Sequence, residues 1–572
     1  MNRRRPRRRT PGDSPAIAPG RDPARLWRTA VEAYEGGEPA KARRALKGLL
    51  DHPAADGLTF LLAGLVEAQL GDWRQAETLL AKALETVPDR VEGWLTLGNA
   101  RHALGRMDEA CEAFKEAVDR APHNAQAWNN LAVVNEDMGR LRDALDYYDR
   151  ALEAAPDFPQ ARRGRAATLA QLRRFDEAKQ AYEDLLVRYP DRGELRLAYA
   201  ELLEQANRPQ EAARYLPEPG TLKDKSADAR AEYLRSQLLA RDNRLETALE
   251  GLEQARRRTG MEFLGYREGA ILDRLGRYQE AMAAFKRANK ARAAQKDYRR
   301  LLAQPLDEYL RHKLETGIQV PAGTPADRSP DHRQPVFVTG LPRSGTTLLD
   351  RMLDAHPDIQ VLEELEGLRM AEAAIAEGAG AGQARRLYRE FVDRHVELRK
   401  DARIVDKNPL HVMHLDVVPT LFPGARVIFV LRHPYDAALS CFMQDFNPGP
   451  VTARFLTLES TAALCAQFLR LMSQYESTVP STVTRVRYED LVTDFRGEVT
   501  RVLGDMGLEW HEAIENYSGI AARSAPIMTA SYEQVTRALY RSSVQRWKHY
   551  DEWLGPFHEA LGAILADFGY EG

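Results

Sequence analysis

Residues 70–89, LGDWRQAETLLAKALETVPD, return as LGRMDEACEAFKEAVDRAPH at 104–123 and as MGRLRDALDYYDRALEAAPD at 138–157, a step of 34 residues each time. Pro88, Pro122, Pro156 and Pro190 keep that step, as do Gly71, Gly105 and Gly139, and Ala76, Ala110, Ala144 and Ala178. The register weakens through Asn207 and Ala212 and through Asn243 and Ala248. It returns at LGRYQEAMAAFKRA, with Gly276 and Ala281, and reaches back to Gly37 and Ala42. Inside each copy the apolar residues fall at helical spacing. Small alanines let two helices approach closely, glycine allows a backbone turn that other residues resist, and proline stops the second helix. One such helix–turn–helix cannot bury its apolar face alone, so copies must stack on one another.

A 34-residue period carrying these residues resembles the tetratricopeptide repeat, which implies an all-α superhelix with an extended concave surface over residues 23–302. Trp94 and Trp128 occupy equivalent repeat positions and read as packing residues. Asn99, Asn129 and Asn130 fall near concave-helix positions, where asparagine serves equally to bond an extended peptide or to meet water. The array therefore either holds a protein or peptide partner, or mediates self-association as a homo-oligomer, or supports the second half of the chain.

A length of 572 residues implies several structural units rather than one core. With 81 Lys and Arg against 84 Asp and Glu, the net charge of −3 gives no global field for nucleic acid or an anionic membrane. Six arginines crowd the first ten residues, but no apolar stretch follows to complete a signal peptide, so residues 1–22 read as a basic disordered tail. No apolar run reaches the roughly 20 residues of a membrane span. Cys111, Cys441 and Cys465 are far apart and lack CxxC spacing, which argues against a disulfide framework or a zinc centre. The expectation is a cytoplasmic protein with no transmembrane segment, no metal and no nucleic-acid partner.

Between residues 303 and 334 the repeat pattern gives way to a short helix, DEYLRHKLE, and a connector broken by Pro321, Pro325 and Pro330. From residue 331 onward 25 Lys and Arg face 33 Asp and Glu, so an anionic ligand there needs focused local donors. The pattern becomes α/β. PVFVTG, DIQVL, RVIFVLRH and TVTRVRYEDL read as strands, whereas TTLLDRMLDAH, the run from Asp436 to Gln444, and VTDFRGEVTRVLGDMGL read as helices. Short apolar strands separated by helices predict a mainly parallel sheet over residues 335–572, with ligands beyond the strand carboxyl ends.

The sharpest local signal is PVFVTGLPRSGTTLL at 335–349. Gly340 and Gly345 bracket four residues and Thr347 follows, nearly matching GxxxxGK[ST], but Thr346 stands where a phosphate-binding lysine belongs. A strand feeding a glycine loop and a helix N-terminus presents inward N–H groups to an anion. Arg343, Ser344, Gly345, Thr346 and Thr347 supply further donors, and each charge-assisted hydrogen bond contributes about 1.5–3 kcal/mol. A P-loop kinase needs more positive charge for its phosphoryl group and magnesium. A sulfuryl group carries a single negative charge, so amides with one arginine and one lysine suffice without a metal.

With LPRSGTTLLDRMLDAHP, DKNP, VIFVLRHPYDAALS, YEDLV and TASYEQVTRALYRSSVQRW in order, residues 334–572 resemble the sulfotransferases that use 3′-phosphoadenylyl sulfate. The likeness is to the protein-tyrosine branch, and with the repeats the chain is similar to bacterial tetratricopeptide–sulfotransferase proteins. The resemblance implies a 5′-phosphosulfate loop at Arg343 to Thr347 and a 3′-phosphate contact at Arg432 and Ser440. It further implies a cofactor-closing stretch from Ser531, a basic cofactor contact at Arg546, and a place for Tyr488 in the same shell. Adenosine 3′,5′-bisphosphate is then the product.

The same resemblance makes Glu364 the base that accepts the acceptor proton. Glu364 lies just beyond a candidate strand, where Glu363 and Glu366 raise and Arg343 lowers its proton affinity. The competing reading makes Glu363, Glu364 and Glu366 a solvated helix start. His356, before Pro357, and His433, beside Arg432, read as structural. Lys407, in VDKNP, is the cation that follows charge onto the bridging oxygen, and Arg343 and Ser531 complete that clamp. Two departures stand out: Glu366 and Gln444 occupy positions where the family pattern has arginine. They weaken the inference to strongly acidic peptides. The expected activity is direct sulfuryl transfer to a hydroxyl, with tyrosine in a protein or peptide favoured over carbohydrate, lipid or small phenol. A non-catalytic repeat scaffold with a nucleotide-binding domain is the remaining alternative.

Overall fold

The computed structural model describes residues 22–172, 174–318, 334–479, 482–517, 519 and 544–571. The chain separates into two compact units, residues 1–191 and 192–572, so the division falls within the repeats. The basic tail to residue 21, most of the connector, and Ser531 lie outside the described residues.

In the first unit five helix pairs follow one another. They are α1 (Pro23–Glu35) with α2 (Pro39–Leu50), α3 (Gly57–Gln69) with α4 (Trp73–Thr86), and α5 (Val91–Ala103) with α6 (Met107–Arg120). Then come α7 (Ala125–Asp137) with α8 (Leu141–Ala154) and α9 (Pro159–Gln171) with α10 (Phe175–Arg188). The second unit begins with α11 (Gly193–Gln205) and α12 (Pro209–Tyr215), α13 (Lys225–Arg241) and α14 (Leu245–Thr259), and α15 (Leu264–Arg274) and α16 (Tyr278–Ala293). Two shorter helices, α17 (Lys296–Leu302) and α18 (Leu306–Thr316), complete its helical part.

The repeat chemistry is visible at each pair. Ala42, Ala76, Ala110, Ala144, Ala178, Ala212, Ala248 and Ala281 are all fully buried, where a larger side chain would separate the helices. Among the described residues, the turns inside the pairs carry a left-handed residue: Gly37, Gly71, Gly105, Gly139 and Gly276 have φ between 69° and 79°. Where the glycine is lost, Asn207 (φ 54°) and Asn243 (φ 57°) take over, asparagine being the side chain that best tolerates this backbone. Trp94 and Trp128 pack within the array and donate Nε1–H to the carbonyls of Pro88 and Pro122, both at 2.7 Å. Asn129 is buried, and Asn130 donates to Asn99 at 3.1 Å.

The α/β part of the second unit is a five-stranded parallel sheet in the order β2-β3-β1-β4-β5. Its strands are β1 (Val336–Gly340), β2 (Ile359–Glu363), β3 (Arg403–Lys407), β4 (Val427–Leu431) and β5 (Val483–Arg487). The central β1 and β4 are buried along their whole length, as expected for continuous apolar runs covered on both faces. Around the sheet lie α19 (Thr346–Asp354), α20 (Gly367–Ala376), α21 (Ala381–His395), α22 (Val418–Leu421), α23 (Pro434–Phe442), α24 (Leu458–Thr478), α25 (Tyr488–Leu491) and α26 (Phe495–Asp505). One hydrophobic core runs from Ala229, Ala248 and Phe285 of the repeat helices to Phe429, Leu439 and Phe557 of the α/β part. Among the described residues no helix is long and apolar enough to cross a membrane.

Candidate active site

The parallel topology brings the candidate residues together at one edge of the sheet. Arg343 lies three residues past the end of β1, Glu364 directly follows β2, Lys407 ends β3, Arg432 directly follows β4, and Tyr488 directly follows β5. All five strands point the same way, so all five carboxyl ends lie on the side of the sheet where doubly wound sheets take ligands. There a cleft of about 470 Å3 is lined by Arg343, Gly345, Thr346, Thr347 and Glu364, with Glu366, Asn408–Leu410, Gln444–Asn447, Val451, Thr452 and Phe455.

The loop after β1 is held tightly. A side chain at Gly340 would meet the Val430 carbonyl at 2.3 Å, and one at Gly345 would meet the Tyr488 ring at 2.7 Å. Gly345 (φ 107°) caps α19, and Arg343 itself is left-handed (φ 70°), an unfavourable backbone for arginine that the surrounding packing imposes. The Cys441 thiol donates to the Pro342 carbonyl at 3.2 Å. Arg343 Nε donates to Ser440 Oγ at 3.2 Å, and Arg432 donates to the Arg343 carbonyl at 3.2 Å. The Arg432 guanidinium lies 5.2 Å from the centre of the Tyr488 ring. Arg343, Arg432, Ser440, Gly345 and Tyr488 are thus one connected cluster.

Glu364 and Lys407 form a second cluster. The ladder continues past β2, with Glu364 N–H donating to the Lys407 carbonyl at 2.7 Å, and Glu364 adopts φ 55°. Lys407 is fully buried; its Nζ lies 3.1 Å from Glu364 and from Asp350 and 3.9 Å from Glu363. Arg351 pairs with Glu363 at 2.7 Å and with Asp350 at 3.2 Å. Among the described residues two cations therefore face three carboxylates, one negative charge in excess. Burial penalises the Lys407 ammonium, but Asp350, Glu364 and Glu363 outweigh it and hold its pKa above the ordinary lysine value. Burial pushes the Asp350 carboxyl up, and although Lys407 and Arg351 oppose it, the group ends at about 7. Glu364, unlike the other members, keeps 44% of its side chain exposed and faces the cleft.

Only Glu366 matches the solvated helix start: it precedes α20, is 59% exposed, and pairs with Arg369. His356 accepts from the Asp358 N–H and reaches the Glu509 carbonyl, while His433 accepts from the Tyr435 N–H and stacks on Trp547. Both serve local structure. Among the described residues the buried Ser344 Oγ has no hydrogen-bond partner. Arg546, like Lys407, Arg432, Ser440 and Tyr488, is not among the residues lining the cleft; unlike them it pairs with Asp273 of α15, at 2.9 Å, and Tyr550 donates to the same carboxylate at 2.6 Å.

The sequence reading missed Asp350 and Arg351. TTLLDRMLDAH reads as a helix, yet a fully charged pair inside its apolar run three residues beyond Thr347 marks ions that need buried partners. It also missed Asn408, which caps the following 3-10 turn through the Leu410 N–H and donates to the Leu365 carbonyl, tying the segments after β2 and β3 together.

The fold and the site define a parallel α/β domain, with hydrogen-bond donors gathered beyond its strand ends, joined to helical repeats. Residues 335–512 match the model of the Sulfotransferase family. Residues 89–157, 163–216 and 266–295 match tetratricopeptide repeat models. The chain therefore carries a tetratricopeptide region and a sulfotransferase-family domain. It is 27% identical over 250 residues to an uncharacterized protein of Aquifex aeolicus, covering 40% of this chain and 32% of that protein. It is 29% identical over 208 residues to nodulation protein NoeE of Sinorhizobium fredii, covering 30% and 50%. Protein-tyrosine sulfotransferase 1 of Danio rerio is 22% identical over 270 residues, covering 43% and 73%. The chain thus spans a third and a half of the first two of these relatives.

The residues present suit a donor of the 3′-phosphoadenylyl sulfate class. The orphaned Ser344 hydroxyl, the helix N-terminus at Thr346, and Arg343 with Arg432 concentrate anion-binding groups in an otherwise acidic domain.

Proposed function

We propose that the chain transfers a sulfuryl group from 3′-phosphoadenylyl sulfate to the hydroxyl of tyrosine in a protein or peptide. The observation that carries this reading is Glu364, on the wall of the cleft that holds the Arg343–Thr347 loop, paired at 3.1 Å with Lys407 buried behind it. Bound there, the donor supplies the sulfuryl group and leaves as adenosine 3′,5′-bisphosphate. The loop amides, Arg343, Ser344 and Thr347 hold the phosphosulfate end, and Arg432 with Ser440 hold the 3′-phosphate. Glu364, half in water and half on Lys407, accepts the hydroxyl proton of the acceptor at its carboxylate. Lys407 keeps its charge because its carboxylate neighbours stabilise the ammonium, and from its buried place directly behind Glu364 that charge favours negative charge building up on the departing oxygen. Phe446 and Phe455, with ring centres 5.4 Å apart, give the cleft an aromatic face suited to a phenol ring.

The test is calorimetry with adenosine 3′,5′-bisphosphate, followed by mass spectrometry of a tyrosine-peptide library incubated with the donor. Parent and Glu364→Gln should both bind the bisphosphate, and turnover by the variant should fall about 10²–10⁴-fold. Absence of bisphosphate binding refutes the proposal. Binding without transfer to any acceptor favours the scaffold, and sulfation confined to glycans or metabolites refutes the protein acceptor.

A further inference from the structure

The cleft has two walls with different supports. The loop from Pro342 to Thr347 hangs on β1, α19 and α23. Residues 444–447, which also line the cleft, are held instead by the last repeat. Arg292 of α16 makes a forked ion pair with Asp445, with Nη2 at 2.8 Å from Oδ2 and Nε at 3.1 Å from Oδ1. Neither partner is more than about a quarter exposed, at 22% and 19%, so water does little to weaken the pair. Tyr298 of α17 donates its hydroxyl to the Phe446 carbonyl at 3.0 Å. Upstream, buried Asn289 of α16 donates to the Phe442 carbonyl at 2.9 Å while accepting from Tyr266 of α15. Downstream, Arg454 donates to the Leu302 and Gln304 carbonyls, both at 2.9 Å, closing the other end of the segment on the repeat side. A segment that carries Phe446 into the cleft is therefore clamped at its beginning, middle and end by the last repeat helix, α16, and the short α17 and turn that follow it.

We infer that the last repeat builds the acceptor wall of the cleft, and that Arg292 and Tyr298 are positioning residues that set which acceptor is taken. The inference rests on the proposed transfer reaction and goes beyond it: the repeats shape the reaction site itself. The physical reason is local. The Arg292–Asp445 fork and the Tyr298 hydrogen bond fix the backbone from which Gln444, Phe446 and Asn447 face the cleft, and neither touches the Arg343–Thr347 loop. Loosening them shifts the side that meets the acceptor and leaves the side that meets the bisphosphate.

The experiment compares the full-length parent, Arg292→Ala, Arg292→Lys and Tyr298→Phe for bisphosphate affinity by calorimetry, and for kcat and KM toward several tyrosine peptides. Arg292→Ala should raise the acceptor KM about tenfold and change the ranking of peptides, with bisphosphate affinity unchanged. Arg292→Lys should recover part of that loss, because it keeps the charge without the fork. Tyr298→Phe removes one hydroxyl with the packing intact, should act in the same direction by a smaller factor, and keeps the test decisive if Arg292→Ala does not fold. A parent that transfers sulfate beside variants with unchanged acceptor KM and ranking overturns this inference alone. So does a uniform loss of kcat with bisphosphate affinity. A parent that binds bisphosphate but transfers nothing overturns the transferase reading together with the inference.

Discussion

Replacing Asp350 with asparagine tests the buried charge cluster at its least comfortable member. Asp350 is fully buried, and its carboxyl sits at about 7 against an ordinary 3.8, a difference equivalent to about 4 kcal/mol. The sign follows from which state holds the proton more tightly. Here the folded state does, so the contribution to stability is complete below about pH 4 and is lost as pH rises through about 7. Asparagine does not titrate, and Lys407 keeps Glu364 at 3.1 Å and Glu363 at 3.9 Å as partners. Relative to the parent, Asp350→Asn should therefore gain about 2–3 kcal/mol of stability between about pH 5 and about pH 8. Urea unfolding of both proteins at the two pH values measures this, because titrations elsewhere in the chain cancel in the difference. Trp510, Trp547 and Trp553 report on the α/β part by fluorescence. A stability difference that stays flat, or that shrinks as pH rises, refutes the account of a carboxyl pushed up by burial beside an excess of negative charge.

Two further outcomes follow from backbone geometry. Asn207→Val should cost about 1–2 kcal/mol in thermal unfolding and Asn207→Gly close to nothing, since φ 54° excludes a β-branched residue and suits glycine. Gly345→Ala should weaken bisphosphate binding at least about tenfold in calorimetry, because φ 107° and the Tyr488 ring 2.7 Å away leave no place for a methyl group without moving the loop. Gly504→Ala, inside α26 with open space around it, is the control and should gain about 0.5–1 kcal/mol.

Much of the fold was legible because its determinants are local and repeated. A 34-residue alanine register predicts helix pairs, and the alanines it names are buried at every pair. The substitution of Asn207 and Asn243 for the turn glycine fits the same rule, since both keep the left-handed backbone. Four strands were readable as apolar runs. β3 was not: of Arg403–Lys407 only Ile404 and Val405 are apolar, and Asp406 and Lys407 are buried as ions with partners on other elements. Arg546 shows the opposite case. Its basic character was evident, but its carboxylate partner, Asp273, lies 273 residues away and no spacing rule points to it.

By itself, the amino-acid order determined two halves of different class, the 34-residue period, the glycine loop before a helix, and a set of basic and acidic residues without an obvious structural task. These are short-range properties, written in turn residues, propensities and periodicity. Tertiary structure alone decided that Glu364 meets Lys407, that Asp350 stands behind them, that Arg343 and Glu364 take left-handed backbones, and that Arg292 of the last repeat grips Asp445 at the cleft. Each of those depends on strand order in the sheet or on packing between distant segments, where one charge acquires its energy from neighbours that the local sequence does not contain.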